Sequence, residues 1–262
     1  MIRLAKLVPF ILVVYLLFPA LGAVMLLPST GYIIQVISDP TFLDSFKTSI
    51  LTAIISTAIS AIFGIPLAYT LARKKIKGKS ILEAIIISPI VLPPLVTGLF
   101  LLSILGPKGP VGFIVEETGL RLTRSMIGIV LAQIAVASPF VVISAKTAFE
   151  EIDTKLEYAS RLLGKSSIQT FFNVSLPLAK KGIFAGLLMC FTRSIGEFGA
   201  TFMLAYYPRT LPIHLYVSFL SGGVEKAAPI AVVLWLIGLV FVVLIKLLDV
   251  IPGEEIAGTE KY

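Results

Sequence analysis

Two places in the sequence carry the Gly-Lys-Ser ending of a phosphate-binding loop, at residues 78–80 and 164–166. A complete loop has the pattern Gly-x-x-x-x-Gly-Lys-Ser/Thr, because its first glycine turns successive backbone N–H groups toward the phosphates. Arg73 and Ala159 stand where that glycine is required, and no strand pattern precedes either copy. These stretches therefore do not predict nucleotide binding by this chain.

Arg193 and Glu197 form a second chemically notable pair, since they lie four residues apart inside an apolar run. On a helix this spacing puts both side chains on one face and within reach of each other. Either charge alone at the centre of a bilayer costs about 2.5 to 3.5 kcal/mol, so both are expected to face protein or water. Two interpretations stay open: an inward Arg193 favours passage of an anion, with Glu197 modulating it, or the pair neutralises itself and holds helices together.

No residues stand in a pattern that predicts catalysis. The single histidine, His214, is expected in the last outer loop, and the single cysteine, Cys190, lies in an apolar run. Ser221 lacks the glycine of an intramembrane serine protease signature, because Phe219 occupies that position. No Cys, His, Asp and Glu cluster has the spacing of metal ligands. The sequence thus predicts neither an enzyme nor a bound metal or cofactor.

The elements that must position these residues are long apolar runs. The chain of 262 residues is 57% hydrophobic and 14% charged, whereas an ordinary soluble domain has about 25% charged residues. About 20 apolar residues suffice for a helix to cross a membrane, and six runs of this kind occur, at residues 7–27, 48–72, 81–105, 127–148, 183–205 and 229–248. The first run is longer than a signal-peptide core, which favours a retained helix over a cleaved signal that would leave five spans. We therefore expect an all-α membrane protein with six transmembrane helices, forming one domain over residues 1–262.

The basic residues divide unevenly between the two sides of the membrane. If the N-terminus, residues 73–80, residues 149–182 and the C-terminal tail share one side, with Lys146 at its edge, that side holds fifteen of the 22 Lys and Arg. Six lie on the other side and Arg193 lies within a span. By the positive-inside rule both termini are expected in the cytoplasm. The net charge of +7 follows this membrane pattern and does not indicate a nucleic-acid partner.

The third run contains three prolines, Pro89, Pro93 and Pro94, near its middle. Each proline removes a backbone donor and frees carbonyl groups one turn earlier. Such groups are tolerated at membrane depth only against protein or a wet cavity. The third helix is therefore expected to line the centre of the bundle, with a structural kink against its neighbours as the alternative. The fourth run repeats a smaller version of this feature at Pro139.

Residues 149–182 form the longest segment on the predicted cytoplasmic side. Apolar residues between Leu156 and Leu163 have helical spacing, and Gly164 is well placed to end that helix. Ser166 or Ser167 can then cap a second short helix that reaches Phe172 and stops before Pro177. Two short helices with a glycine turn and exposed apolar residues normally have a protein partner.

Glu157, Ala159, Gly164 and the pair at residues 176–177, Leu-Pro, resemble the cytoplasmic signature loop of binding-protein-dependent ABC transporter permeases. In that family the loop forms the coupling helix that sits in a groove of a separate ATPase. The general pattern has its glutamate where Tyr158 stands here. A glutamate one place earlier, followed by Arg-x-Leu-Gly, is similar to the branch that carries molybdate. The resemblance extends over residues 44–250 and includes LPPLVTG in the third run, SIGEFGA in the fifth and the stretch Ala-Tyr-Tyr-Pro after it.

The resemblance implies a permease for molybdate or tungstate, working as a homodimer of six-helix subunits in a prokaryotic cell membrane. Two copies of a separate ATP-binding cassette ATPase would dock on the coupling helices, which lie between the fourth and fifth spans. An extracytoplasmic oxyanion-binding protein would deliver the anion. The residues implied in coupling are Glu157, Tyr158, Ala159, Gly164, Leu176 and Pro177, and the candidates for the translocation path are Pro89, Pro93, Pro94, Arg193, Glu197 and Gly199.

Two alternatives remain. A permease of the sulfate or thiosulfate type would share the same pattern, because the anions are all tetrahedral dianions. A secondary transporter could instead use Arg193 and Glu197 as an ion relay without an ATPase. No inverted repeat relates residues 1–126 to residues 127–262, and such a transporter would have no use for the segment at 149–182.

Overall fold

A computed structural model describes residues 2–25 and 29–247, and these residues form helices and connecting turns, without strands. The all-α prediction is therefore confirmed for the described residues. The helices are α1 (Ile2–Met25), α2 (Thr30–Ile37), α3 (Pro40–Arg73), α4 (Lys79–Val91), α5 (Pro94–Leu105), α6 (Pro110–Glu116), α7 (Met126–Glu150), α8 (Thr154–Leu162), α9 (Ser167–Thr170), a π-helix (Phe171–Ser175), α10 (Leu176–Leu178), α11 (Lys180–Ile195), α12 (Gly199–Leu204) and α13 (Leu211–Leu247).

Three helices are long and apolar enough to cross a membrane within the described residues: Pro40–Arg73, Met126–Glu150 and Leu211–Leu244. Two bent pairs of helices pass the same test together, which gives up to five spans. The helix Ile2–Met25 covers most of the first predicted run, whose last residues lie outside the described ones. The count of six spans and the direction of insertion stay predictions.

The third predicted span is not one continuous helix. It is divided into α4 and α5, which meet at an angle of 114°. Pro93 and Pro94 have no backbone N–H to continue the ladder of α4, and the residue before a proline is driven toward extended conformations. Leu92 and Pro93 are accordingly extended, with ψ of 140° and 131°. The prolines break the helix where the sequence had indicated a kink.

The fifth predicted span, residues 183–205, is also interrupted. Its first part, α11, ends at Ile195, and α12 begins at Gly199. Glu197 lies in the break, where its Oε1 accepts a hydrogen bond from the backbone N–H of Ala200 at 2.7 Å. A side chain that satisfies an orphan N–H in the first turn of α12 stabilises the start of a new helix. The charged residue that was expected within a helix therefore helps to end one helix and begin another.

The last helix begins earlier than the predicted run at 229–248. It starts at Leu211 and bends at Gly222 and Gly223, where φ and ψ leave the helical range. His214 therefore lies in the first turns of a helix and not in a loop, and its ring packs edge-on against Phe42, with 6.4 Å between ring centroids. The final residue of the predicted run lies outside the described residues.

The centre of the bundle is built from α3, α7 and α11. Small residues let α11 and α7 approach closely, as is usual for helices that pack within membranes. A Cβ added at Gly186 of α11 would lie 2.8 Å from the Cβ of Ser144 and 3.1 Å from the carbonyl oxygen of Phe140 in α7. No side chain fits between the two helices at this point.

Buried hydrogen bonds join the same three helices. The Gln133 Nε2 of α7 donates to the hydroxyl of Thr52 in α3 and to the carbonyl of Ser194 in α11, both at 3.1 Å. The Ser56 hydroxyl donates to that of Ser194 at 3.1 Å. One turn before Thr52, Ser49 Oγ accepts the backbone N–H of Leu211 at 2.7 Å. These contacts fix α3 against α7, α11 and α13.

Four charged residues link α4 to α7 at the predicted cytoplasmic side. Lys146 lies 3.2 Å from Glu83 and 3.1 Å from Glu150. Lys79 lies 3.8 Å from Glu83 and 3.7 Å from Glu150. Partly exposed pairs of this kind each contribute little, but the network holds α4 beside α7.

Candidate functional site

The segment from α8 to α10 starts with a well-capped helix. Asp153 caps α8 by accepting the backbone N–H of Lys155 at 2.9 Å. At the other end Gly164 has a φ of +86°, a conformation that favours glycine. Its N–H donates to the carbonyl of Arg161 at 2.9 Å, and the N–H of Lys165 donates to that of Ser160 at 3.3 Å. This is a Schellman ending, which confirms that Gly164 terminates the helix.

The second half of the segment begins with a capping box. Ser166 Oγ accepts the N–H of Gln169 at 3.2 Å, and Gln169 Oε1 accepts the N–H of Ser166 at 2.9 Å. Ser166, one of the two predicted candidates, is therefore the N-cap. The expectation that the helix stops before Pro177 is wrong, because α9 continues through the π-helix and α10 as far as Leu178. Pro177 lies in α10, directly after the π-helix, so the chain stays helical through the proline.

Large apolar side chains project from this segment. Leu162 is 88% exposed, Leu163 84% and Ile168 71%. Tyr158 and Phe172 are exposed as well. These five residues are called the docking face below. An exposed apolar surface next to a glycine turn is typical of a site for another protein.

The residues predicted to act in coupling do not share one environment. Tyr158, Ala159, Gly164 and Pro177 are exposed, whereas Leu176 is partly buried and Glu157 is 5% exposed. Glu157 Oε1 accepts hydrogen bonds from Arg73 Nε at 3.0 Å and from Ser175 Oγ at 2.8 Å. Glu157 therefore faces the bundle. Leu176 packs against the buried cluster at the ends of α3, α7 and α11.

The second candidate region lies where the two broken spans meet. A Cβ added at Gly199 would lie 2.8 Å from the backbone N of Leu95 and 2.9 Å from the Cβ of Pro94. A Cβ added at Gly98 would lie 2.7 Å from the Cα of Ala200. The two glycines thus allow α5 and α12 to cross in direct backbone contact. The breaks at Pro93 and Glu197 are brought together by this crossing.

A crevice of about 300 Å³ lies at that meeting point. Arg193 and Glu197 form an ion pair on its wall, which confirms that the two side chains are within reach. The carboxylate is almost fully buried, at 1% exposure, while the Arg193 side chain is 29% exposed. The lining residues are Pro93, Pro94, Leu95, Arg193, Gly196, Glu197, Phe198 and Gly199. Five of the six predicted path residues therefore line one crevice, and Pro89, within α4, is not among the lining.

A second crevice, of about 400 Å³, adjoins the first and shares Gly196 and Phe198 with it. Its walls come from α11 and from both parts of α13, and they are mainly apolar. Phe198 and Phe202 pack with Tyr216 beside it, with centroids 5.3 and 5.5 Å from the tyrosine ring. The charged crevice therefore has an apolar and aromatic neighbour.

Three residues in these contacts were missed by the sequence analysis. Arg73 and Tyr69 approach Glu157 from α3, and Gln133 joins three helices. Arg73 had been placed among the basic residues of a loop, yet it is the last residue of α3. The only signal was the four-residue spacing of Tyr69 and Arg73, which puts both on one helical face. Within the described residues, no three His, Cys, Asp or Glu side chains could hold a metal ion.

Comparison with solved structures defines the fold as that of an ABC transporter permease. A bacterial alginate ABC transporter, solved with its alginate-bound periplasmic protein, superposes with a TM-score of 0.75 at 18% identity, covering 95% of this chain and 93% of the other. A methionine ABC transporter, MetNI, in an inward-facing conformation superposes with a TM-score of 0.55 at 17% identity, over 79% and 90% of the two chains. The likeness at this level of identity concerns the fold.

Sequence comparison then gives the family. Residues 62–250 match the family described as binding-protein-dependent transport system inner membrane component. The probable molybdenum ABC transporter permease protein of Haloferax volcanii is 43% identical over 93% of this chain and 89% of its own. The molybdate/tungstate permease WtpB of Methanocaldococcus jannaschii is 37% identical over 93% and 96%. The chain belongs to this family and is a multi-pass membrane permease.

Proposed function

We propose that this permease carries molybdate and tungstate into the cell. The observation behind this proposal is the extended similarity to relatives named for molybdenum and for molybdate and tungstate, which covers 93% of the chain. The crevice supports it, because the partly exposed guanidinium of Arg193 offers a positive charge beside Pro93 and Gly199. We expect the path to bind the anion only weakly, since the ion must be able to leave again.

We infer an assembly of two copies of this chain, each with six transmembrane helices and cytoplasmic termini. One ATPase subunit docks on the α8–α10 segment of each copy, here named the coupling element, and an extracytoplasmic binding protein delivers the anion. The exposed docking face supports this arrangement, because it projects from a segment whose two helices are both capped. Closure of the ATPase pair on ATP moves the coupling elements together and opens the path outward, and hydrolysis resets it, as in other rigid-body switches.

Uptake into proteoliposomes tests the substrate. The vesicles contain this permease with its ATPase and binding protein, and molybdate uptake is measured while a competing anion is added. We expect ATP-dependent uptake that an equal concentration of tungstate reduces to about half and that a hundredfold excess of sulfate leaves about unchanged. Equal competition by sulfate would identify a sulfate-type permease, and uptake without ATP would identify a secondary transporter.

A second prediction concerns the docking face. Replacing both Leu162 and Leu163 by Glu should abolish recovery of the ATPase when the permease is purified gently from membranes, because two charges would be buried in an apolar contact. The amount of permease in the membrane should not change, since both side chains are more than 80% exposed. Leu120→Glu, at an exposed residue of a loop on the predicted opposite side, is the control. Normal ATPase recovery with the double variant would exclude this face as the docking site.

A further inference from the structure

Arg73, the last residue of α3, is hydrogen-bonded to the first turn of α8 and to the residue just before the cap of α8. Its Nε donates to Glu157 Oε1 at 3.0 Å, and its Nη2 donates to the carbonyl oxygen of Ile152 at 3.1 Å. Ile152 precedes α8, and Glu157 lies in its first turn. One guanidinium therefore makes two hydrogen bonds at the N-terminal end of α8. Arg73 and Glu157 are 84 residues apart in the sequence.

Glu157 has further partners that complete the connection. Ser175 Oγ, from the π-helix, donates to Oε1 at 2.8 Å, and the Tyr69 hydroxyl donates to Oε2 at 3.4 Å. Both halves of the coupling element thus meet at one carboxylate. Tyr69, Arg73, Glu157 and Ser175 are called the clasp below. A charged group that receives several hydrogen bonds in a buried setting is held in one geometry.

Aromatic packing surrounds the clasp. The Tyr69 ring contacts Phe149 and Phe171 edge-on, with centroids 5.2 and 4.9 Å away. Phe149, one residue before the end of α7, is fully buried, and Phe171 belongs to the coupling element. The side chains of Arg73 and Glu157 are 13% and 7% exposed. Because solvent is largely excluded, the ion pair is screened much less than one at the surface.

The middle of α3 is hydrogen-bonded to residues beside the charged crevice. The Thr52 hydroxyl accepts a hydrogen bond from the side-chain amide of Gln133, which also donates to the Ser194 carbonyl. The Ser56 hydroxyl donates to the Ser194 hydroxyl. Ser194 directly follows Arg193 in the chain. The helix α3 therefore runs without a break from the clasp at its C-terminal end, past Pro66, to Ser56 in its middle, which bonds to the residue next to the crevice cation.

We propose that the clasp makes α3 move as one body with the coupling element, so that ATPase closure is transmitted along α3 to the crevice. In this proposal, which rests on the proposed function above, Arg73 and Glu157 are positioning residues and do not touch the anion or the ATPase. The clasp stays closed throughout the transport cycle. Tertiary contacts that keep one arrangement can transmit a displacement between distant sites, because packed cores are not continuously deformable.

Charge reversal tests the clasp in proteoliposomes with ATPase and binding protein, where ATP hydrolysis and molybdate uptake are both measured. Arg73→Glu and Glu157→Arg should each lower uptake about tenfold or more while the ATPase stays bound and active, so the ATP used per anion rises about tenfold. The combined swap should restore uptake to within about threefold of the unmodified protein. Lys74→Glu, an exposed reversal one residue away, is the control and should leave the ratio unchanged.

Two results would overturn the proposal. Single variants that keep the normal ATP-to-anion ratio exclude transmission through the pair, and single variants that lose the ATPase altogether show that the pair only folds the docking face. If the unmodified protein shows no ATP-dependent uptake, the proposed function fails. Measuring the unmodified protein therefore distinguishes a failure of the proposed function from a failure of the clasp proposal.

Cross-linking provides a measurement that does not depend on reversed charges. Arg73 and Glu157 are both replaced by Cys in a Cys190→Ala background, which leaves those two thiols as the only ones in the chain. The uncoupled double-cysteine variant should regain uptake when a short bismethanethiosulfonate joins the two positions, and lose it again on reduction. Cross-linking that fails to restore uptake would show that the pair must separate during the cycle, contrary to the proposal.

Discussion

Replacing Gly164 by Asp is expected to lower ATP-driven molybdate uptake about tenfold or more, while the amount of permease in the membrane stays unchanged. Gly164 has a φ of +86°, and a Cβ there would meet no atom within 4 Å. The substitution is therefore a change of backbone preference and charge, without a steric clash. A side chain in the left-handed region costs about 1 to 2 kcal/mol, somewhat less for Asp.

We expect a shift of the turn between α8 and α9 to relieve that cost. Such a shift changes the position of Leu162 and Leu163 relative to Ile168, all of which belong to the docking face. The new carboxylate also lies beside this apolar surface, where its burial against a partner is unfavourable. Hydrolysis of ATP should therefore continue at a rate no longer tied to uptake.

Gly119→Asp is a matched control for this experiment. Gly119 has a φ of +81° and, like Gly164, no atom within 4 Å of an added Cβ. The backbone strain and the added charge are the same, but the residue lies in a loop on the predicted outer side. Uptake by the Gly119 variant should stay near normal. Normal uptake by the Gly164 variant, or an equal loss in both, would contradict a coupling role for this turn.

Hydropathy located the helices because a chain within lipid must satisfy its backbone groups internally. It could not show where those helices break. The run at 81–105 is apolar throughout, yet Pro93 and Pro94 turn the chain by 114° in its middle. The same holds at Glu197, where a single side-chain hydrogen bond starts α12. The mean hydropathy of a run is the same whether the helix is straight or bent, so it does not reveal these breaks.

Local capping was predictable for a different reason. Gly164 and Ser166 act on groups within a few residues of themselves, so the pattern of the sequence contains the whole interaction. Glu157 was predicted to act in coupling, but its burial could not be foreseen, because its partner Arg73 is 84 residues away. Charged residues on the cytoplasmic side of a membrane protein are usually solvated. Glu157 is buried because α8 packs against Tyr69 and Arg73 of α3, which only the structure shows.

Replacing Arg193 by Leu tests the ion pair of the crevice. Glu197 is 1% exposed, and its remaining oxygen caps the N–H of Ala200. Removal of one partner leaves a buried carboxylate without a counter-charge, which typically costs about 3 to 5 kcal/mol. We therefore expect Arg193→Leu to lower the yield of folded permease and its thermal stability in detergent. Arg121→Leu, at an exposed residue of the predicted outer loop, is the control and should change neither.

The double variant Arg193→Leu with Glu197→Gln separates the two roles of the pair. The introduced amide would keep a carbonyl oxygen for the Ala200 N–H but would carry no charge, so the yield and thermal stability of the permease should recover. If Arg193 attracts the anion into the crevice, uptake by this variant stays about tenfold or more below normal, because an uncharged wall no longer favours a dianion. Recovery of uptake together with yield would show that the pair only holds the break between α11 and α12. Unchanged yield and uptake in Arg193→Leu itself would exclude both roles, since the buried carboxylate would then need no counter-charge.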